Sequence, residues 1–269
     1  MSRSFDAVDD QINCGGGAVL TNLVKSTFAA WIKPRIIGGD ATPAICGKHA
    51  SSSSRRTFSL SDNTASATLK ASIVTTGTTL IKTGATPIPF NAWTFVAMSW
   101  NGGLSSASSN LRLWINAVED SYSSSQDGTN TIGTDGGGNF YIGCRFSTDQ
   151  TFNGLISHLH FYNSFLTQNE LRQLMFNPGS IQRGLVGYWP LTSPAAAAQD
   201  SDYSGNRNTG VPNGGVARST DEPPISNMWM PRRFSRNSYV IPAVIPPPPS
   251  TPVSTRTRRK SRMMVGVGL

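Results

Sequence analysis

Short strand-like runs, each cut off by a cluster of turn-forming residues, dominate this chain and set what it can become. The clearest cover 27–33, 92–100, 111–116, 139–143 and 155–162. Between them lie SSSS at 51–54, NGGLSSASSN at 101–110 and SSSQDGTNTIGTDGGG at 123–138, where Gly, Asn, Asp and Ser favour turns over continued ladders. Long helical patterns are scarce and charged residues make up only 14%. A helical bundle, a coiled coil and a doubly wound α/β enzyme are thereby disfavoured, and an all-β sandwich is expected. The length, 269 residues, fits one large β domain or two small ones.

Alternation assigns faces. Leu111, Leu113 and Ile115 share one face of their strand, while Arg112, Trp114 and Asn116 share the other, which should meet solvent or a partner. Residues 92–100 are apolar on both faces, with Trp93, Phe95 and Ala97 opposing Val96, Met98 and Trp100, and read as a central strand. One short helix is expected after Thr167, where Thr167 and Glu170 form a T-x-x-E capping box and Leu171, Leu174 and Met175 follow at helical spacing. It should pack on the sandwich as a lid.

Cys14, Cys46 and Cys144 are odd in number and widely spaced, so the sequence supports neither a zinc site nor a disulfide framework. Three buried thiols are the simplest reading, with one disulfide left open. No run reaches the roughly 18 apolar residues of a membrane span, and the first residues lack the apolar stretch of a signal peptide.

Charge divides the chain. Residues 1–226 hold fifteen Lys/Arg and fifteen Asp/Glu. Residues 227–269 hold Arg232, Arg233, Arg236, Arg256, Arg258, Arg259, Lys260 and Arg262 with no acidic residue and seven prolines. Such a segment cannot bury enough apolar surface to fold alone, and the run Pro246–Pro249 should act as a stiff spacer rising about 3.1 Å per residue. The expected organisation is a body at 1–226 and an extended, anchoring tail at 227–269. The tail would dock on another protein subunit or attract a polyanion.

Seven blocks in order carry a family resemblance. FDAVDDQI at 5–12, TFAAWIKP at 27–34, ICGK at 45–48, AWTFVAMSWNG at 92–102, LRLWINAVE at 111–119, YIGC at 141–144 and FNGLISHLHFYNSFLTQNEL at 152–171 resemble the successive strands of a laminin G-like domain. That group lies in the concanavalin A-like lectin/glucanase superfamily, and the resemblance implies a two-sheet antiparallel jelly roll with Trp31, Trp93 and Trp189 in its core. GLVGYWPL at 184–191 and DYSGNRNTGVPNGG at 202–215 resemble the opening of such domains, yet they follow the helix. Either 184–226 completes the same sandwich, the favoured reading, or it is a truncated second copy that docks on a neighbour.

The resemblance also frames the chemistry. Relatives commonly carry an Asp near a calcium site where this chain has Ser157, a poor ligand for a hard cation. Asp6, Asp9 and Asp10 persist and can still hold calcium with backbone carbonyls; Asp6 capping a turn is the alternative. Glucanase relatives need two carboxylates about 5–5.5 Å apart on one strand. The three Glu, at 119, 170 and 222, begin no such motif, so no enzyme activity is expected.

His158 and His160 share a strand face and can form part of a metal site with His49, or simply face solvent. The candidate glycan platform is Arg112, Trp114 and Asn116, joined by His158, His160 and Tyr162. Family and texture together imply a non-enzymatic module displayed on a larger assembly such as a virion, with the tail as anchor and other capsid or tail subunits as partners. A free carbohydrate-binding lectin is the alternative, with surface glycans as partners. Either places the chain on a virion or an extracellular surface.

Overall fold

The short runs pair antiparallel into two eight-stranded sheets, as a computed structural model shows for residues 1–35, 42–51, 54–61, 67–147 and 149–225. The first half of the chain supplies β1 (Ser2–Asp6), β2 (Gln11–Asn13), β3 (Ser26–Pro34), β4 (Ala44–Ser51), β5 (Ser54–Ser61), β6 (Thr68–Ile73), β7 (Leu80–Gly84) and β8 (Thr94–Trp100). Next come a single helical turn, α1 (Ala107–Asn110), then β9 (Leu111–Ile115), β10 (Val118–Glu119), β11 (Tyr122–Gln126), β12 (Asn139–Ile142) and β13 (Asn153–Tyr162). Helix α2 (Gln168–Phe176) leads to β14 (Leu185–Trp189), β15 (Val211–Asn213) and β16 (Ala217–Ser219). The all-β sandwich with one lid helix expected from the sequence is the observed fold. The basic residues from Arg232 to Arg262 lie outside the described residues.

One sheet runs β10-β9-β8-β3-β13-β1-β16, with β14 also on β13, and the other runs β11-β7-β6-β5-β4-β12-β2-β15. β13 organises the first. One edge pairs throughout with β3, while the other is shared between β1, from Asn153 to Ile156, and β14, from Leu159 to Tyr162. Where the partners change, the register shifts between Ser157 and His160, and His158 adopts φ 49°. Ser157 acts as a clip there: its hydroxyl faces the carbonyls of Met1, at 3.2 Å, and Pro190, at 3.3 Å. β16 pairs with β1 and β15 with β2, so residues 211–219 reach both sheets.

Residues facing inward form the main core, including Phe5, Phe28, Met98, Trp100, Leu111, Leu113, Phe140, Phe161 and Trp189. Gly143 is obligatory in it, because its φ of 83° and the Phe5 ring against its α-carbon leave no room for a Cβ. A second cluster covers the outer face of the first sheet, where Ala29, Trp31, Phe95, Trp114 and Tyr162 meet Leu171, Leu174 and Met175 of α2. The capping box starts that helix as the spacing predicts: the Glu170 amide donates to Thr167 Oγ1, and the Thr167 amide to Glu170 Oε2 at 2.8 Å.

Several cations are buried inside this frame. Lys82 donates to the carbonyls of Ala107, at 2.9 Å, and Leu111, at 2.8 Å, and sits 3.7 Å over the Tyr122 ring. Burial lowers its pKa to about 8. Arg56 pairs with Asp135 and donates to the Leu23 carbonyl, while Lys48 donates to Gly138. Cys14, Cys46 and Cys144 are free and buried, and burial raises all three thiol pKa values. Among the described residues no helix is long and apolar enough to cross a membrane.

Candidate functional site

Alternation along β9 puts Arg112 and Trp114 on the outer face as expected, but that face is closed at Trp114. Trp114 is 2% exposed and lies in the cluster under α2, so its ring offers no platform to a sugar. Arg112 pairs with Glu119 at 3.0 Å. Asn116 lies beyond β9, at φ 49° in the turn into β10, where its Oδ1 accepts from the Phe95 amide at 3.1 Å. The expectation of an open aromatic platform is corrected at Trp114, which packs in the cluster that includes α2, while Arg112 stays partly exposed and Asn116 exposed.

The β13 residues are absorbed in the same way. Tyr162 is fully buried and donates to the Ile181 carbonyl at 3.0 Å, and His160, 1% exposed, donates from Nε2 to the Pro178 carbonyl at 2.8 Å. His160 stacks on Tyr188 with ring centroids 4.1 Å apart, and His158 shares a hydrogen bond with the Tyr188 hydroxyl at 2.8 Å. Burial is the main cause that lowers their pKa values, to about 3 for His158 and about 4 for His160. His158 also feels His160 and the N-terminal ammonium. His49 stacks instead on Phe146, in the opposite sheet, and the three histidines form no metal-holding group among the described residues.

Asp6, Asp9 and Asp10 do come together, each with a carboxylate oxygen within 4.8 Å of the others. Both expectations for Asp6 have a counterpart here, since its Oδ1 accepts from the Val8 amide at 2.8 Å in a local turn. Asp10 is 3% exposed and has one oxygen without a partner, while the other accepts from the Asp6 amide at 3.0 Å. Burial, then repulsion from Asp6, raises its pKa to about 6. An orphaned buried carboxylate oxygen beside two more carboxylates suits a hard cation, so this donor set fits calcium, which when bound would offset the charge crowded at the end of β1.

Surface cavities among the described residues include two of similar size. One, of about 230 Å³, is lined by Asn22, Leu23, Val24, Arg56, Ile132 and Thr134. The other, of about 210 Å³, opens beyond the end of β14 between Pro190–Pro194 and Gln199–Ser201, with Tyr203 at its side. Its rim is held from far away in the sequence: Arg3 of β1, fully buried, donates to the carbonyls of Ala195, Ala196 and Ala198 and pairs with Asp200 at 2.9 Å. Ser193 Oγ lies 2.7 Å from the Gln199 carbonyl and 2.8 Å from Asp200 Oδ1. Sequence reasoning passed over this segment, and the one visible signal was a pair of tyrosines bracketing a Ser/Pro/Ala stretch.

The comparisons with known proteins agree with this architecture. The family model described as the concanavalin A-like lectin/glucanases superfamily matches residues 6–172. A solved candidate carbohydrate binding protein from Bacteroides ovatus ATCC 8483 is similar over 84% of this chain, with 19% identity and a TM-score of 0.58. This chain spans 61% of that protein. A heptameric SAP-like pentraxin from Limulus polyphemus is 16% identical over 63% of this chain and 82% of its own, with a TM-score of 0.41. Tailspike protein 2 of the Escherichia coli O157:H7 bacteriophage CAB120 is 12% identical over 70% of this chain and 26% of its own, with a TM-score of 0.44. No curated protein sequence matches the chain. With the family match covering more than half of its length, this protein belongs to the laminin G-like group of the concanavalin A-like lectin/glucanase superfamily.

Proposed function

We propose that the chain is a non-catalytic, glycan-binding module, built from residues 1–226 and fastened to a larger assembly by the basic segment 227–269. The observation that carries the glycan reading is the lectin-superfamily match over residues 6–172, supported by the likeness to the Bacteroides ovatus protein and its description. The fates of the glutamates support the absence of catalysis. Glu119 is held by Arg112 and Tyr122, Glu170 by the helix cap and Arg183, and Glu222 by the N-terminal ammonium. Hydrolysis of the retaining type needs two carboxylates free to act on one bond.

A glycan array probed with the intact chain tests this reading, paired with an assay for released reducing ends. Saturable binding without sugar release is expected. Release of sugar, or an array with no binding, would contradict it.

The anchoring half rests on charge: residues 227–269 carry eight positive charges and no negative one. This reading expects the chain on a virion or an extracellular surface. Full-length protein prepared from its natural source should sediment with a large particle and leave it when the eight basic residues are replaced by Gln. A chain that sediments as a free monomer from that source would remove the strap from the account.

A further inference from the structure

The cleft beyond β14 has features of a prebuilt binding site. Arg3 makes four hydrogen bonds to the segment Ala195–Asp200, although it lies 197 residues away from Asp200. A buried ion pair is weak evidence for stability, since desolvation offsets much of its attraction. It does hold a loop in one geometry, which a binding site requires and a linker does not. Leu191 adds a second sign: it is 1% exposed at φ 60°, a left-handed conformation that a branched aliphatic residue rarely adopts.

The chemistry of the lining selects the ligand. Tyr203 is 61% exposed, and its backbone is fixed by the bond from its amide to the Tyr188 carbonyl at 2.7 Å, so a flat ring is anchored beside the cleft. The single hydroxyl proton of Ser193 is directed at the Gln199 carbonyl and Asp200, which leaves the Ser193 oxygen to accept. Asp200, 1% exposed, accepts from Arg3 and Ser193 and supports the cleft from behind. Among the described residues no Lys or Arg lines the cleft, and Arg3 behind it is buried with four of its donors given to the loop. Among the described residues the site therefore offers the Ser193 oxygen as an acceptor, has an aromatic wall and lacks a free cation. Its volume, about 210 Å³, has room for a single sugar ring.

We propose that this cleft binds one neutral, hydroxyl-rich sugar residue of a glycan, with Tyr203 stacking on the ring, Ser193 accepting from its hydroxyls, and the buried Asp200 holding the Ser193 hydroxyl in place. This inference rests on the glycan-binding reading above and names its site and ligand class.

The test uses the intact chain on an array carrying both neutral and sialylated glycans, followed by calorimetric titration of the best neutral glycan. Tyr203→Ala should weaken binding by about tenfold at an unchanged melting temperature, while Tyr203→Phe, which keeps the ring, stays within about twofold. Ser193→Ala, which removes an acceptor, should weaken binding less than Tyr203→Ala. Wild-type affinity in Tyr203→Ala would overturn the site but leave glycan binding standing. Binding confined to sialylated glycans would overturn the ligand class, and an array with no binding at all would overturn both the site and the reading beneath it.

Discussion

Two neighbouring regions of the first sheet differ in a way the strand pattern does not reveal. On the outer face of β9 and β13, Trp114 and Tyr162, aromatic side chains that read as a display surface, are buried in the cluster with α2. Beyond the end of β14, a stretch to which the sequence pattern assigns no element forms an open cleft with a buried Arg3–Asp200 pair behind it. Alternation identifies which side chains share a face. Whether that face stays open depends on where a later segment lands, and that is decided by packing across the whole chain.

Breaking either region should have distinct consequences. The largest effect is expected from Arg3→Met, which strands the Asp200 carboxylate in the interior and frees three carbonyls. Urea unfolding should show a loss of about 3–5 kcal/mol, and the cleft should lose its ligand as well. Leu174→Ala, under α2, should destabilise by about 2–4 kcal/mol through the cavity it leaves. Its folded fraction should keep full affinity for sugar, which separates the covered face from the open one.

The buried histidines sharpen the covered side of the comparison by pH. His158 and His160 have folded pKa values near 3 and 4, below the ordinary 6.5, so the unfolded chain binds more protons between about pH 4 and 6.5. Their stabilising contribution is complete above pH 6.5 and is lost as the pH falls through that window, by more than about 1 kcal/mol. His160→Gln should flatten the fall in thermal unfolding curves recorded from pH 7 to 4.5. Thr167→Ala, which removes half of the capping box, should cost about 1 kcal/mol in the same measurement.

The smallest effect concerns Asp10, whose raised pKa acts in the opposite direction: its charge opposes folding as the pH rises from about 4 through 6. Calcium at millimolar concentration should raise the melting temperature of the wild-type chain at pH 7 and leave that of Asp10→Asn unchanged. An equal response in both would remove the cation from this cluster.

Much of the fold was legible because its strands obey the period of two. β3, β8, β9, β12 and β13 announce themselves by apolar runs between turn clusters, and α2 by its cap and three leucine or methionine contacts. The strands from β4 to β7 are harder to see, because they are written in Ser, Thr and Lys and point Lys48, Arg56 and Lys82 inward, where a pattern reader expects aliphatic residues. The acidic cluster was legible because its three residues lie within one turn of chain. Trp114, His160 and Tyr162 were assigned to the correct face but to the wrong environment, since nothing local records that α2 and the segment after it, Pro178 to Ile181, pack against them. The cleft escaped notice because its support, Arg3, is at the far end of the sequence.

One paired titration tests the account most directly: the affinity of a neutral glycan for Tyr203→Ala against its affinity for Trp114→Phe, each measured on protein shown to be folded. The account predicts a loss of about tenfold for Tyr203→Ala and no change for Trp114→Phe. Loss of affinity in Trp114→Phe with Tyr203→Ala unaffected would return the binding site to the strand face and contradict the assignment of the cleft.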